Sequence, residues 1–200
     1  TIPTAELAVG LLISLARNIL PGDRLVRSGE FGGWRPVLYG MGLAGRTVGI
    51  IGMGKIGRAI AARLAGFKTD LLYSDTVPVD KKIEIDLNIR RAELNTLLAE
   101  SDFVVLALPL TSDTFHLIDD QRLAKMKKGS YLINIGRGSV VREESVADAL
   151  RTGRLAGYAA DVFEMEDLSL PNRPLKIFQG LLADTDRTVF TAHLGSAVDE

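Results

Sequence analysis

Short apolar runs recur along the chain, and most of them lack the alternation of polar and apolar residues that a half-exposed strand shows. The run at 103–108 is apolar on both faces, as the buried strands of parallel sheets are. Similar runs predict further strands at 48–51, 70–74, 130–135, 156–161 and 188–192. Because parallel strands cannot be joined by tight turns, a helical crossover should lie between successive strands.

Segments with apolar residues three or four positions apart lie between these runs. Leu94, Leu97 and Leu98, for example, share one face of a helix. The pattern predicts helices at 55–65, 91–100, 120–126 and 143–151. Alternating strands and helices are typical of an α/β fold with a doubly wound parallel sheet, which we expect over residues 21–200.

The start of the chain contains an apolar segment, from Ala5 to Leu20, that is long enough to suggest a membrane span. Charged and polar residues interrupt it, so a buried or interface helix over residues 1–20 is the better interpretation, and we expect no membrane partner. Pro3 and the Pro21-Gly22 pair would mark the ends of this helix.

Residues 22–45 hold seven glycines together with Phe31, Trp34 and Tyr39. Such a density of glycine predicts an irregular connection, and its aromatic side chains should be packed against other parts of the protein. Packing beneath a long loop is one explanation for Trp34, and a place in a binding site is the other.

Three glycines stand directly after the first predicted strand and open the first predicted helix. Gly52 allows a tight turn, Gly54 lets a pyrophosphate approach the backbone, and Gly57 lets the helix pack closely on the strand. The free N–H groups and partial positive charge of the helix N-terminus suit phosphates. A glycine-rich turn without a ligand is the alternative. The expected dinucleotide contacts are Gly52, Met53, Gly54, Lys55, Ile56 and Gly57.

Asp75 lies 18 residues beyond Gly57, at the end of the second predicted strand. A carboxylate there can accept hydrogen bonds from the adenosine ribose diol, and it would repel a 2′-phosphate. No arginine follows Asp75 directly in the sequence. We therefore expect NAD rather than NADP as the cofactor.

Three ionisable residues follow strands whose carboxyl ends should meet at one edge of the sheet, where ligands bind in such folds. Arg137 lies between two glycines, and its planar guanidinium suits a small oxyanion. His193 follows the last strand, and Glu166 follows the strand before it. If the two meet, the carboxylate fixes the imidazole tautomer and prepares it for acid–base work. The alternatives are a surface arginine, a structural histidine and a solvated acidic loop.

Composition narrows the range of partners and compartments. The net charge of −1 gives no reason to expect a nucleic acid partner. With no cysteine and only two histidines, we expect neither disulfides nor a metal site. The chain begins at Thr1 and has no basic, apolar secretion signal, which favours a cytoplasmic protein and is compatible with a segment of a longer one.

Several of these segments together resemble the D-isomer-specific 2-hydroxyacid dehydrogenases over nearly the whole chain. The segments that carry the likeness are 3–6, 48–57, 108–110, 132–141, 161–163 and 193–196. The resemblance implies that Arg137, Glu166 and His193 form the catalytic set, with the glutamate being the second one of a D-V-F-x-x-E pattern. It further implies cofactor contacts from Thr4, Leu108, Pro109 and Asp161.

The resemblance also implies a missing part. In that family the NAD-binding (Rossmann) domain is inserted into a substrate domain built from both ends of a longer chain, and a lysine of the N-terminal part helps to bind the anion. The chain would then be a central segment, with the substrate domain largely absent. Residues 1–20 would be the helix that links the domains and contacts a second copy, so we expect a homodimer.

Within the family, the chain resembles the phosphonate (phosphite) dehydrogenases, because of residues 26–34, 157–167 and 195–198. It departs from them at Ala192, where proline usually precedes the histidine. The likeness implies NAD-dependent oxidation of phosphite, with Trp34, Tyr39 and Ser196 on the substrate side. One alternative is a D-2-hydroxyacid dehydrogenase of the glyoxylate or hydroxypyruvate reductase or phosphoglycerate dehydrogenase type. The other is a non-catalytic NAD-sensing module.

Overall fold

Parallel strands form one sheet in the computed structural model, which describes residues 1–33 and 35–198. Trp34, predicted to lie on the substrate side, is outside the described residues. The strands are β1 (Thr47–Ile51), β2 (Asp70–Ser74), β3 (Ile89–Arg91), β4 (Phe103–Leu106), β5 (Ser130–Asn134), β6 (Leu155–Ala160) and β7 (Thr188–Phe190). They are arranged in the order β3-β2-β1-β4-β5-β6-β7.

Helices connect these strands and also precede them. They are α1 (Ile2–Ala16), α2 (Ile19–Arg27), α3 (Lys55–Leu64), α4 (Lys81–Leu87), α5 (Leu94–Glu100), α6 (Asp120–Lys125), α7 (Glu143–Arg151) and α8 (Gln179–Ala183). Short 3₁₀ turns follow β5 and β6, at Gly138–Val140 and Glu164–Glu166.

The order of the strands reverses beside β1, which pairs with β2 on one side and with β4 on the other. Val48 of β1 is in register with Leu71 and with Phe103. The first half of the sheet therefore extends from β1 through β2 to β3, and the second half extends in the opposite direction from β4 to β7. At this reversal a crevice opens at the carboxyl ends of β1 and β4. The predicted doubly wound α/β fold is confirmed.

Helices cover both faces of the sheet, and each face has its own apolar core. On one face α1 packs against α3 and the sheet, and Leu12 and Ile60 are almost completely buried there. On the other face α5, α6 and α7 bury Leu97 and Val146. All four side chains of β4 are buried between these layers, which explains why its sequence is continuously apolar.

Two elements between β2 and α5 are absent from the sequence prediction. Asp80 caps α4, because its Oδ1 accepts a hydrogen bond from the Lys82 N–H at 2.7 Å. In β3, only Ile89 is buried, so this short edge strand leaves no apolar run to recognise. The helix predicted at 91–100 is correspondingly too long, since Arg91 belongs to β3 and α5 begins at Leu94.

The single helix predicted over the first twenty residues is two helices, with a bend of 62° between them. Asn18 adopts a left-handed conformation with a φ of 53° at this break, and α2 then runs through Pro21. Pro21 is the third residue of α2, where a backbone N–H has no partner within the helix, so proline does not end it. In the described part of the chain, no single helix is long and apolar enough to cross a membrane, although the bent pair passes that test jointly.

The described residues of 28–46 form the irregular connection that the glycines predict, but the expected packing of Phe31 and Tyr39 is wrong. Phe31 is 48% exposed and Tyr39 is 83% exposed. The backbone holds the connection instead, because the Met41 N–H donates to the Ala16 carbonyl at 2.7 Å. Leu43 is the buried side chain among the described residues of this segment.

Asp102, a buried carboxylate at the start of β4, joins three segments of the chain. Its Oδ2 accepts a hydrogen bond from the Thr47 N–H at 3.0 Å, and its Oδ1 accepts one from Lys127 Nζ at 2.6 Å. Burial by itself would raise the pKa of Asp102, but these hydrogen bonds and the lysine charge hold that pKa below its usual value.

We expect Asp102→Ala to lower the free energy of unfolding at neutral pH by about 1–3 kcal/mol, because a buried N–H and an ammonium lose their shared acceptor. Because the pKa of Asp102 is lower in the folded state, its carboxylate stabilises the fold at pH values above the unfolded-state pKa. This stabilisation is lost as the pH falls through the folded-state pKa. The difference between the two proteins should therefore shrink in acid, as measured by urea unfolding. Glu100→Ala is the control, because Glu100 is half-exposed and lies 3.8 Å from Arg90. An equal difference at both pH values would contradict the electrostatic explanation.

Candidate active site

The turn after β1 brings the start of α3 almost into contact with the end of the strand. Gly52 has a left-handed φ of 94°, and its N–H donates to the Ser74 carbonyl at 2.9 Å. A Cβ on Gly57 would collide with the carbonyl oxygen of Gly52, so this approach requires glycine. Apart from the adjacent residues, no atom of the described part of the chain lies within 4 Å of the Cβ position of Gly54, which leaves the N-terminus of α3 open. This turn fits the pyrophosphate of a dinucleotide.

Asp75 follows β2 and lies beside the same turn. Its Oδ2 accepts a hydrogen bond from the Met53 N–H at 2.6 Å. Lys55 and Ile56 form the first turn of α3, where backbone N–H groups have no partner within the helix. Arg91 also lies close to Asp75, because its Nη2 donates to the Asp75 carbonyl at 3.1 Å. The sequence does not reveal this contact, since the two residues are 16 positions apart. The carboxylate thus lies where the prediction for NAD requires it, with a guanidinium on the neighbouring strand.

The loop after β4 covers the glycine turn from the other side of the crevice. A Cβ on Gly52 would meet the Ala107 carbonyl and would lie 3.1 Å from the Leu108 Cβ. The Pro109 carbonyl accepts a hydrogen bond from Thr114 Oγ1 at 2.7 Å, which holds the loop in shape. The structure therefore brings Leu108 to the glycine turn, with Pro109 next to it.

The loop after β5 carries Arg137, whose side chain is exposed. Buried Asn134 shapes this loop, because its Nδ2 donates to the Arg137 carbonyl at 2.9 Å and its Oδ1 accepts from the Gly136 N–H at 3.1 Å. Arg137 Nη1 donates to the Gly136 carbonyl at 2.7 Å. A guanidinium has five N–H donors in a planar fork, which suits a carboxylate or another small oxyanion.

His193 and Glu166 meet at the same edge of the sheet. His193 Nδ1 lies 2.6 Å from Glu166 Oε2. The other carboxylate oxygen, Oε1, accepts a hydrogen bond from the Phe163 N–H at 2.8 Å, so the carboxylate is fixed from both sides. When Nδ1 donates its proton to the glutamate, Nε2 remains as the atom that exchanges a proton with a substrate. The side chain of His193 is 53% exposed and is accessible for this exchange.

Buried Asp161 holds the loop of His193. Asp161 Oδ1 accepts hydrogen bonds from Thr191 Oγ1 at 2.6 Å and from the Leu194 N–H at 2.7 Å, and Oδ2 accepts from the Gly195 N–H at 2.9 Å. His193 has a left-handed φ of 54°, which is uncommon for a residue with a side chain. These bonds stabilise that conformation. The carboxylate that was predicted to contact the cofactor is thus the anchor of the histidine loop.

Other predicted site residues lie at different distances from this edge. A Cβ on Gly195 would lie 3.2 Å from Thr4 Cγ2, so the start of α1 reaches the histidine loop, and exposed Ser196 follows directly. Tyr39 lies elsewhere, because its carbonyl accepts from Asn18 Nδ2 at 3.1 Å just beyond the other end of α1. A helix of 15 residues spans about 22 Å. The structure therefore does not bring Tyr39 to the site.

A second histidine–glutamate pair lies beside the first and was missed in the sequence analysis. Glu164 Oε2 lies 3.1 Å from His116 Nε2, and Glu164 Oε1 accepts from the Glu143 N–H at 2.7 Å. Glu143 is buried, and its Oε1 accepts from the Glu164 N–H at 2.9 Å. Burial raises the pKa of Glu143. The acidic run at 164–167 was the available signal, because each of the two histidines pairs with a glutamate of that run.

Comparison with known proteins agrees with this geometry. Residues 9–195 match the family model described as the NAD-binding domain of D-isomer specific 2-hydroxyacid dehydrogenases. A glyoxylate reductase from Pyrococcus horikoshii is 45% identical over 97% of this chain and 57% of its own length. The chain thus spans less than two thirds of that relative.

Solved structures give the same result. A glyoxylate reductase from Paecilomyes thermophila superposes with a TM-score of 0.87 at 31% identity, over 98% of this chain and 56% of its own. For D-lactate dehydrogenase from Escherichia coli the TM-score is 0.83 at 29% identity, over 98% and 58%. The chain belongs to the D-isomer specific 2-hydroxyacid dehydrogenase family, in which it corresponds to the NAD-binding domain.

Proposed function

We propose that the protein containing this chain is an NAD-dependent D-2-hydroxyacid dehydrogenase of the glyoxylate reductase type. The observation that carries the proposal is the His193–Glu166 pair, with 2.6 Å between Nδ1 and Oε2, at the sheet edge that also carries the glycine turn. The relatives reported above that carry the name glyoxylate reductase support this choice of substrate class. The substrate is then a small 2-oxo or 2-hydroxy acid.

The carboxyl edge of the sheet would hold the cofactor in this proposal. The N–H groups at the start of α3 would bind its pyrophosphate, and Asp75 would bind its ribose. Thr4 and Leu108, which lie at the same edge, would contact it. The nicotinamide ring, when bound, would supply the hydride acceptor or donor.

Three side chains of the chain bind the substrate and transfer the proton in this proposal. Arg137 binds the carboxylate of the substrate through its guanidinium fork and so orients the C2 atom. In the direction of reduction, His193 Nε2 donates a proton to the carbonyl oxygen as hydride reaches C2, and it removes the hydroxyl proton in the reverse direction. Glu166 keeps the proton on Nδ1 and stabilises the imidazolium.

Phosphite oxidation is the second candidate, and the sequence likeness at 164–167 and 196–198 favours it. It uses the same residues, with Arg137 on the phosphite oxyanion and His193 accepting a proton from the attacking water. A non-catalytic NAD-sensing module is the third. The complete set of Arg137, Glu166 and His193 argues against that module.

The full-length protein should oxidise NADH with glyoxylate or hydroxypyruvate, as followed by the loss of nicotinamide absorbance. It should not reduce NAD with phosphite, because the proposed reaction transfers hydride to or from a carbon atom and not from phosphorus. Turnover of phosphite alone would reverse the order of the two candidates. Binding of NADH without turnover of any of these substrates would favour the NAD-sensing module.

Glu166→Gln should lower kcat by about 10²-fold or more, because an amide at this position no longer stabilises the imidazolium of His193. The affinity for NADH should not change, since Glu166 does not lie at the glycine turn. The matched control is Glu144→Gln, because the Glu144 carboxylate is 61% exposed on α7 and pairs only with Arg142 among the described residues. A kcat for Glu166→Gln equal to that of the control would show that the glutamate takes no part in the mechanism.

Asp75→Ala should shift the preference between NAD and NADP toward NADP by about tenfold or more, because a repelling carboxylate is lost while the Arg91 guanidinium stays near. Adding Thr76→Arg should increase the shift. Fluorescence titration with both reduced cofactors measures it. Asp70→Ala is the control, because Asp70 is an exposed aspartate at the opposite end of β2. An unchanged affinity for NADPH in the variants would show that Asp75 does not contact the ribose.

A further inference from the structure

The loop that carries Arg137 and the turn that carries Glu166 touch each other directly. They are far apart in the sequence, because α7 and β6 lie between them. Their contact is between backbones, since a Cβ on Gly138 would collide with the Phe163 carbonyl group. The separation of the guanidinium from the histidine–glutamate pair therefore depends on how these two turns are held together.

A side-chain hydrogen bond joins the two turns directly. Asp167, the residue after Glu166, is only 8% exposed, and its Oδ2 accepts from the Ser139 N–H at 2.7 Å. Ser139 lies two residues after Arg137. A hydrogen bond from an N–H to a carboxylate is shorter and stronger than one between neutral groups. Asp167 thus connects a position next to the proposed base-orienting carboxylate with a position next to the proposed anion-binding guanidinium.

Each turn is separately held to its own part of the fold. Asn134 holds the start of the arginine loop, through the Gly136 N–H and the Arg137 carbonyl. Glu164 holds the other turn to the start of α7, through the Glu143 N–H. His116 also connects the turns indirectly, because its backbone N–H donates to the Ser139 carbonyl at 2.7 Å and its Nε2 lies 3.1 Å from Glu164 Oε2. The Asp167 bond is direct, and it ends on the residues adjacent to Glu166 and close to Arg137.

We propose that Asp167 is a positioning residue that sets the register of Arg137 against the Glu166–His193 pair. The inference rests on the proposed function, because it assigns these three residues to the reaction. Asp167 acts through the Ser139 N–H and does not touch the substrate. When this bond is lost, both turns keep their own anchors, but the bound anion shifts relative to His193 Nε2. A misplacement of about 1 Å between reacting groups costs on the order of 10²-fold in rate.

The test compares Asp167→Ala, Asp167→Asn and Asp148→Ala in the full-length enzyme. Asparagine keeps an oxygen that accepts from the Ser139 N–H, whereas alanine has none. Asp148 is an exposed carboxylate on α7 that pairs with Arg151 and serves as the matched control. The measurements are kcat and KM for the 2-oxo acid, the dissociation constant of NADH, and amide hydrogen exchange of the segments 138–141 and 47–57.

We expect Asp167→Ala to lower kcat/KM by about 10–100-fold, mainly through kcat, with an unchanged dissociation constant for NADH. Exchange in 138–141 should accelerate and exchange in 47–57 should not. Asp167→Asn should restore most of the activity and the slow exchange, and Asp148→Ala should match the wild type. A general structural role would instead lower NADH binding and accelerate exchange in both segments.

The inference is overturned if Asp167→Ala retains the kcat/KM of an active wild type, or if Asp167→Asn is as slow as Asp167→Ala. A wild-type enzyme that reduces no 2-oxo acid contradicts the proposed function and not the connection between the turns. Hydrogen exchange then decides, since it needs no substrate. Unchanged exchange in 138–141 of Asp167→Ala would show that the carboxylate does not hold the arginine loop.

Discussion

The parallel pairing of β1 with both β2 and β4 is the constraint on which the rest of the structure depends. Because all the strands run in the same direction, every loop that leaves a carboxyl end arrives at one edge of the sheet. The reversal of strand order beside β1 opens a crevice at that edge. The glycine turn, Arg137, Glu166 and His193 come to it from four separate parts of the chain.

Buried hydrogen-bond acceptors then hold the loops at this edge. Asp161 and Asp167 accept hydrogen bonds from backbone N–H groups of neighbouring loops, and Asn134 accepts one from the N–H of Gly136 in its own loop. A buried polar group is costly unless its hydrogen bonds are made, so these contacts leave the loops few other conformations. The left-handed backbone of His193 depends on such support, because it is an uncommon conformation for a residue with a side chain.

Both proposed reactions would use this edge in the same way, with an oxyanion at Arg137 and a proton at His193. Asp167 was one of the features that favoured phosphite in the sequence. Its hydrogen bond to the Ser139 N–H explains the presence of an aspartate at this position, and this explanation does not depend on the identity of the anion. We therefore order the candidates by the relatives that carry the name glyoxylate reductase, and not by Asp167.

Local patterns determined six of the seven described strands, most helices and the glycine turn, because apolar periodicity reports directly on burial and the turn lies within six consecutive residues. The same patterns could not predict β3, which buries only Ile89, or α2, in which Pro21 occupies a position that needs no N–H. Only the tertiary structure placed Arg91 beside Asp75, paired Glu164 with His116, and left Tyr39 far from the site. Those contacts join residues that are distant in the sequence, and the order of the strands and the packing of their loops decide which of them meet.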